Sequence, residues 1–200
     1  MELFYTLTSP YSRKILLVAD HLGLSDQMTR TVFYPLDNTS GRLAAVNPLE
    51  KIPTLLLGNG EVIYDSPVIA EVLFHRANAP ALAFEERLKQ QKMQALADGI
   101  MDAAVLSQLE SCREDTAPSA YWQDRWRQAM LRAVAEFDRH MIGDAMEWHI
   151  GSMSMACALD YMRFRHSGLN WMENSPAAHD WYQTVMKKDI MTKTDPRSAG

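Results

Sequence analysis

Cysteine is scarce in this chain: Cys112 and Cys157 are the only two among 200 residues. No CxxC pair occurs, and a structural zinc site would need more ligands at closer spacing. The six histidines form neither an HxxxH nor an HExxH pair, so the sequence offers no metal site. The expectation is two buried thiols in a reducing compartment. An excess of basic charge is lacking too. The net charge is -5, and the first 80 residues carry 6 Lys/Arg against 8 Asp/Glu. Nucleic-acid binding therefore has no electrostatic footprint, nor does polybasic attraction to an anionic membrane. Long apolar runs are missing as well. The stretch "ILLVA" is too short for a membrane span or a signal core, and Glu2 stands where a signal peptide would be basic. These absences together predict a cytoplasmic protein.

What remains is an ordinary globular composition, 47% apolar and 22% charged. The first eighty residues alternate strand and helix signals. "ELFYT" reads as a short strand with Leu3 and Tyr5 on one face and Phe4 on the other. From Pro10 the pattern turns helical, with Ile15, Leu16, Ala19 and Leu22 in phase and Gly23 as the stop. "TRTVFY" is a second strand, rich in β-branched and aromatic residues. A short helix is expected over residues 40–46. Two further strands flank Gly58-Asn59-Gly60, a hairpin signal. A helix follows from Ser66 to about Arg76, with Ile69, Val72 and Leu73 inward. The order is βαβα, then ββα.

After residue 78 the character changes. Residues 79–85 are small and proline-broken, a linker. Beyond it lies a helical domain, 86–200, with no credible strand. Met93, Leu96, Ala97, Ile100 and Ala104 fall at helical spacing over 86–112. Trp122, Trp126, Met130, Ala133, Val134, Phe137 and Met141 do the same over 120–141. Helices are also expected over 152–166 and 176–188, and the tail "TDPRSAG" reads as loose. Eleven of the thirteen methionines follow residue 92, as adaptable core packing would use them.

Three local motifs punctuate this pattern. Ser9-Pro10 sits at the turn from the first strand into the first helix. Ile52-Pro53 immediately precedes a strand. "YDSPVIAEVL" opens a helix with the carboxylate-hydroxyl pair Asp65-Ser66. In this order and spacing the chain resembles the glutathione transferase family over nearly its whole length. The resemblance implies a thioredoxin-like N-terminal domain that binds glutathione as co-substrate, and an all-α C-terminal domain that supplies a second-substrate pocket. It also implies homodimers, a detoxifying transferase activity and no metal cofactor.

Carried over residue by residue, the resemblance makes Pro53 a cis proline that bares the Ile52 backbone. The Ile52 N–H and C=O then pair with the cysteinyl unit as an added strand would; the plain alternative is a trans proline starting a strand. Ser66 and the free N–H groups of its helix would hold the γ-glutamyl carboxylate, with Asp65 accepting the ligand's ammonium. Both residues also suit an ordinary N-cap. Lys51 would meet the glycyl carboxylate, or be a surface lysine with no role. Asp98 and Asp102 would reach the partner's γ-glutamyl ammonium across a dimer, or form a solvated acidic face.

Ser9 is the candidate for activating the sulfur, by donating a hydrogen bond to the thiolate beside a helix N-terminus. Pro10 fits the first helical position, where no N–H is needed. Tyr5 and Tyr11 are the rival phenols, Tyr5 better suited to the core. Two positions depart from the family's pattern. Glu50 stands where glycine is usual, which implies an altered loop with an acid near the ligand's glycine end. His149 and Ser152 stand where the family's core helix has a Ser/Thr-x-x-Asp capping box, so the reciprocal cap is not expected to form in its usual way. The expected activity is attack of the glutathione thiolate on a small apolar electrophile. A non-catalytic glutathione-binding module and a glutathione-dependent peroxidase or reductase remain as alternatives. Mixed-disulfide chemistry is disfavoured because no cysteine occupies positions 9–12.

Overall fold

The computed structural model describes residues 1–34, 41–114 and 116–199. The chain divides into two compact units, Met1–Ala81 with Ile190–Gly200, and Leu82–Asp189.

In the first unit, β1 (Glu2–Tyr5), α1 (Pro10–His21), β2 (Thr29–Val32) and α2 (Arg42–Val46) precede the hairpin of β3 (Thr54–Leu56) and β4 (Val62–Ile63), and α3 (Ser66–Arg76) follows. This is the βαβα-ββα order expected from the sequence. The start of the helix expected over 40–46 falls on Ser40, outside the described residues. The sheet runs β2-β1-β3-β4. β1 is parallel to β2, with Leu3 opposite Arg30, and antiparallel to β3, with Phe4 opposite Thr54. Leu3 and Phe4 point to opposite faces and are both buried, so the centre of the sheet is covered on both sides. Phe33 meets the Phe4 ring edge-on, and the Arg42 guanidinium lies 5.1 Å from its centroid. α1 stops as its sequence dictates. Gly23 takes φ +68°, and the N–H groups of Gly23 and Leu24 return to the carbonyls of Asp20 and Ala19 at 3.1 and 2.8 Å. That pair closes carbonyls which a helix otherwise leaves open.

The end of the chain departs from the sequence reading, which gave residues 86–200 to the helical domain and left the tail loose. Here α9 (Asp189–Lys193) and a 3-10 turn over Pro196–Ala199 are ordered, and Ile190–Gly200 groups with the first unit. Ile190, Met191 and Thr194 are buried, and Arg13 of α1 bonds this segment. The cause is tertiary: a five-residue helix has too few internal hydrogen bonds to persist by itself.

The second unit contains α4 (Phe84–Ser111), α5 (Ala120–His140), α6 (Ile150–Arg165), α7 (Trp171–Asn174) and α8 (Pro176–Val185). α6 is its core, buried at every residue from Ile150 to Met162 and packed against α4. The aromatic residues around it place their polar tips carefully. Trp181 stacks edge-on to Phe137 and donates its indole N–H to the Ala145 carbonyl at 3.0 Å. Tyr182 donates to the buried Asp160 at 2.5 Å and accepts from Arg163 at 3.3 Å. Burial, followed by the neighbouring Asp160 charge, pushes the Tyr182 phenol up to about 12. The Asp138 carboxylate of α5 caps α8 through the Ala178 N–H at 2.8 Å.

Three sequence expectations are corrected here. Trp122 is exposed rather than in the core, forming an outward stack with Trp126 and an edge contact with Tyr121. Cys157 is buried, but Cys112 is exposed at the C-cap of α4. The reciprocal cap of α6 does form. His149 Nδ1 accepts from the N–H groups of Gly151 and Ser152 at 3.0 and 3.3 Å, while Ser152 Oγ accepts from the His149 N–H at 2.8 Å. An imidazole whose Nε2–H donates to the Asp144 carbonyl (3.0 Å) keeps Nδ1 as an acceptor, so it does the work of a Ser or Thr oxygen.

The same turn explains Gly151. A Cβ there would lie 2.7 Å from the Gln90 carbonyl oxygen and 2.9 Å from Met93 Cβ, both on α4. Urea unfolding tests both features. His149→Ala is expected to cost roughly 0.5–2 kcal/mol, with His149→Asn retaining most of the stability. Gly151→Ala is expected to cost about 1–3 kcal/mol through overpacking. A wild-type midpoint for both alanine variants would refute this account of the helix start.

Candidate functional site

The strand registers decide what meets in the first unit. β1 and β3 run antiparallel with Phe4 opposite Thr54, so the exit from β1 lies beside the entry to β3. β3 and β4 run antiparallel with Leu55 opposite Ile63, which puts the exit from β4 at that same end. Ser9 follows β1, Ile52-Pro53 precedes β3, and Asp65-Ser66 follows β4. Three segments separated in sequence therefore emerge at one end of the sheet. The N-termini of α1 and α3 begin there too, and each carries the partial positive charge of a helix start.

Ser9 is the N-cap of α1, and its Oγ accepts from the Ser12 N–H at 3.2 Å. Capping uses a lone pair and leaves the hydroxyl proton free to donate elsewhere. Ser9 is half-buried and so reachable. Tyr5, at the end of β1, and Tyr11, in the first turn of α1, are likewise half-buried. Both phenols stay beside the serine, and neither is removed from candidacy by burial.

The Ile52–Pro53 bond is cis. Among the described residues, the Ile52 N–H and C=O have no hydrogen-bond partner. The loop before Pro53 is organised by a residue that the sequence reading missed. Asn47, fully buried, donates to the Lys51 carbonyl at 3.0 Å and to Thr54 Oγ1 at 2.8 Å, while its Oδ1 accepts from the Leu49 N–H at 2.9 Å. The Asn-Pro dipeptide at 47–48 was the available signal, since an Asn side chain that bonds the backbone two residues on initiates a turn. Within this loop Glu50 has φ +51°, the left-handed region that favours glycine. An L residue there costs roughly 1–2 kcal/mol, which gives a physical reason for the glycine usual at this position. Glu50 and Lys51 are both exposed.

Asp65 occupies the N-cap position of α3 without any side-chain bond to the helix, and Ser66 is buried at its first turn. The plain-cap explanation for Asp65 therefore lacks its hydrogen bond. The Tyr64–Asp65 peptide is cis as well. In the second unit, Asp98 and Asp102 lie one turn apart on α4, Asp98 half-buried and Asp102 exposed. That unit also holds a cavity of about 360 Å³ lined by Ser107, Gln123, Arg127, Met130, His166 and Leu169, among others. Its polar groups are engaged internally. Gln123 donates to the Ser107 carbonyl, Arg127 pairs with Asp124, and His166 Nε2 lies 2.8 Å from the Ala104 carbonyl. Burial pushes the His166 imidazole below its usual range. Among the described residues, no group of His, Cys, Asp and Glu could hold a metal ion, and no helix is long and apolar enough to cross a membrane.

Residues 8–76 match the family described as glutathione S-transferase, N-terminal domain, and residues 120–184 match the corresponding C-terminal domain. Among curated proteins, the GST-like protein YibF of Escherichia coli K12, described as uncharacterized, is 29% identical over 205 residues, covering 100% of each chain. A glutathione transferase family member from Pseudomonas fluorescens Pf-5, solved with bound glutathione, is 33% identical with a TM-score of 0.90, covering 96% of this chain and 97% of that one. The same protein was also solved with S-(propanoic acid)-glutathione, at a TM-score of 0.87. A glutathione S-transferase from Methylobacillus flagellatus with glutathione bound is 27% identical, with a TM-score of 0.86, covering 96% of this chain and 98% of that one.

For the loop before Pro53, Asn47→Ala is expected to cost roughly 1–3 kcal/mol from the lost buried hydrogen bonds, and to speed amide exchange at Leu49. Asn47→Asp, which keeps only the acceptor, should protect Leu49 but not restore full stability. Unchanged Leu49 exchange in Asn47→Ala would show that the loop is held by other means.

Proposed function

The chain belongs to the glutathione S-transferase family, and we propose that it binds glutathione at the sheet end described above and adds the thiolate to a small apolar electrophile. The observation that carries this is the shared end of β1, β3 and β4, which gathers a serine hydroxyl, a cis-proline loop and two helix N-termini. Glutathione is a peptide with two carboxylates and a thiol. The Ile52 backbone suits its cysteinyl amide and carbonyl, as a strand would pair. The N-terminus of α3, with Ser66, suits the γ-glutamyl carboxylate, and Asp65 suits the ammonium. Lys51, exposed on the same loop, suits the glycyl carboxylate. The solved relatives with glutathione bound support this ligand.

Ser9 faces the sulfur in this reading. The thiol of glutathione resembles free cysteine, with a pKa of roughly 8.5, so little is ionised at neutral pH. Each unit of lowering is worth about 1.4 kcal/mol. The Ser9 O–H, donated to S⁻ at the positive end of α1, stabilises the thiolate over the thiol. The thiolate lone pair then forms a C–S bond, the electrophile's leaving group departs or its anion takes a proton, and the thiol proton goes to solvent. No cofactor beyond glutathione is required for this step. The functional protein is a cytoplasmic homodimer in this proposal, with Asp98 or Asp102 reaching the partner's γ-glutamyl ammonium.

The decisive experiment is ultraviolet thiolate absorbance of bound glutathione across pH, alongside calorimetry. Ser9→Ala is expected to raise the thiol pKa and slow conjugation by less than the roughly 10²–10³ seen for a lone positioned donor, because the helix N–H groups remain. Tyr5→Phe and Tyr11→Phe should titrate like wild type. Loss of the thiolate in either phenylalanine variant would move the role to that phenol. The double variant Asp65→Ala/Ser66→Ala should weaken glutathione binding by several kcal/mol at most, since charged hydrogen bonds are worth about 1.5–3 kcal/mol each. Retention on immobilised glutathione without thiol consumption by any electrophile would mark a binding module. Consumption only with peroxides or disulfides would mark a peroxidase or reductase.

Assembly has its own test. Sedimentation at micromolar concentration is expected to give twice the 22.7 kDa chain mass. A monomer would remove both the dimer and the cross-subunit role of Asp98 and Asp102.

A further inference from the structure

A guanidinium taken out of water is costly unless its donors are matched, and Arg13 is only 2% exposed. It lies on α1 four residues after Ser9, so the two share one face of the helix. Its own N–H closes the first backbone bond of the helix on the Ser9 carbonyl at 3.0 Å. Its side chain reaches the far end of the chain. Nε donates to Thr194 Oγ1 at 3.1 Å, and one terminal nitrogen donates to the Met191 carbonyl at 2.8 Å. Thr194, also buried, passes its hydroxyl proton on to the Ile190 carbonyl at 2.7 Å. The relay needs these residue types. Lysine has one nitrogen and cannot span both acceptors in a fixed fork, and valine at 194 could neither accept nor donate.

Two of the bonds that hold Ser9 locally are longer than these. The Ser9 N–H reaches the Thr6 carbonyl at 3.3 Å, and Ser12 N–H reaches Ser9 Oγ at 3.2 Å. Both lie beyond the usual N–H···O optimum near 2.9–3.0 Å. The shortest of the three bonds at Ser9 is the 3.0 Å bond from the Arg13 N–H, so Ser9 is tied to the residue that the C-terminal segment anchors. We propose that Arg13, clamped by Met191 and Thr194, is a positioning residue that aims the Ser9 hydroxyl, which makes the C-terminal segment part of the thiol site. This rests on the reading that Ser9 faces the sulfur. Arg13 contacts no ligand in the proposal; it acts by fixing the helix from which Ser9 is presented.

The test uses the full-length protein with glutathione as the probe, and reads thiolate absorbance against pH and calorimetric affinity. Thr194→Val and Arg13→Lys are expected to raise the bound-thiol pKa by roughly half a unit, about three-fold in the thiol-to-thiolate ratio, with glutathione affinity nearly unchanged. Combined with Ser9→Ala, neither should add its full shift, because residues acting through one group are not additive. Thr194→Val leaves α1 untouched and decides the matter should Arg13→Lys fail to fold. A merely structural arginine would lower the unfolding midpoint and leave the titration at wild type; that result, or full additivity with Ser9→Ala, overturns the proposal while the Ser9 assignment stands. A wild-type titration in Ser9→Ala itself overturns both.

Discussion

The antiparallel pairing of β1 with β3, and of β3 with β4, is the constraint on which the site depends. Backbone hydrogen bonds at register Phe4–Thr54 and Leu55–Ile63 bring the exit of β1, the entry of β3 and the exit of β4 to one end. A slip of one residue would turn every side chain to the opposite face of the sheet. Leu3, Phe4 and Leu55 are all buried, with Leu3 and Phe4 on opposite faces, so such a slip would exchange side chains between two close-packed layers. Burial on both faces thus fixes the register, and the register fixes the site.

Electrostatics follows from that geometry without any cluster of charged side chains. Two helices, α1 and α3, begin at the shared end with Pro10 and Ser66-Pro67. Proline in the first turn forfeits no needed N–H, and the positive end of a helix is suited to an anion. The three segments of the candidate site are held differently, however. The cis-proline loop is stapled from within by Asn47, α3 begins without a side-chain bond from its N-cap Asp65, and α1 is held by a buried arginine reaching the C-terminal segment. The start of α1 is therefore held by residues remote in sequence.

The helical unit shows the same economy in different chemistry. Its core helix α6 is apolar nearly all round, as a fully surrounded helix must be. Its start cannot rely on solvent for its open N–H groups, so His149 and Ser152 close them reciprocally. The absence of a side chain at Gly151 allows α4 to approach. Asp160 inside the bundle is tolerated because Tyr182 donates to it.

Much of this was legible in residue order. The period-2 and period-3.6 patterns placed the strands and the long helices, and Gly23 and the Gly58-Asn59-Gly60 turn marked boundaries correctly, because those signals are local and act within a few residues. Ser9, Ile52-Pro53 and Asp65-Ser66 could be picked out for the same reason: each is a turn or helix start with its own stereochemistry. The Asn47 turn is local too, with partners only two to seven residues away, and Asn47-Pro48 was its signal. The sequence could not say that Arg13 binds Met191 and Thr194, or that Trp122 faces outward, since each depends on which distant segments arrive beside it. Helical periodicity marks one face of α5 as apolar but cannot tell how far along it the neighbouring helices reach. Nor did a residue-type rule anticipate an imidazole as helix cap, because that role follows from the proton fixed on its other nitrogen by the Asp144 carbonyl. Local stereochemistry and periodicity were written in the sequence; partners separated by up to 181 positions were chosen only when burial brought them together.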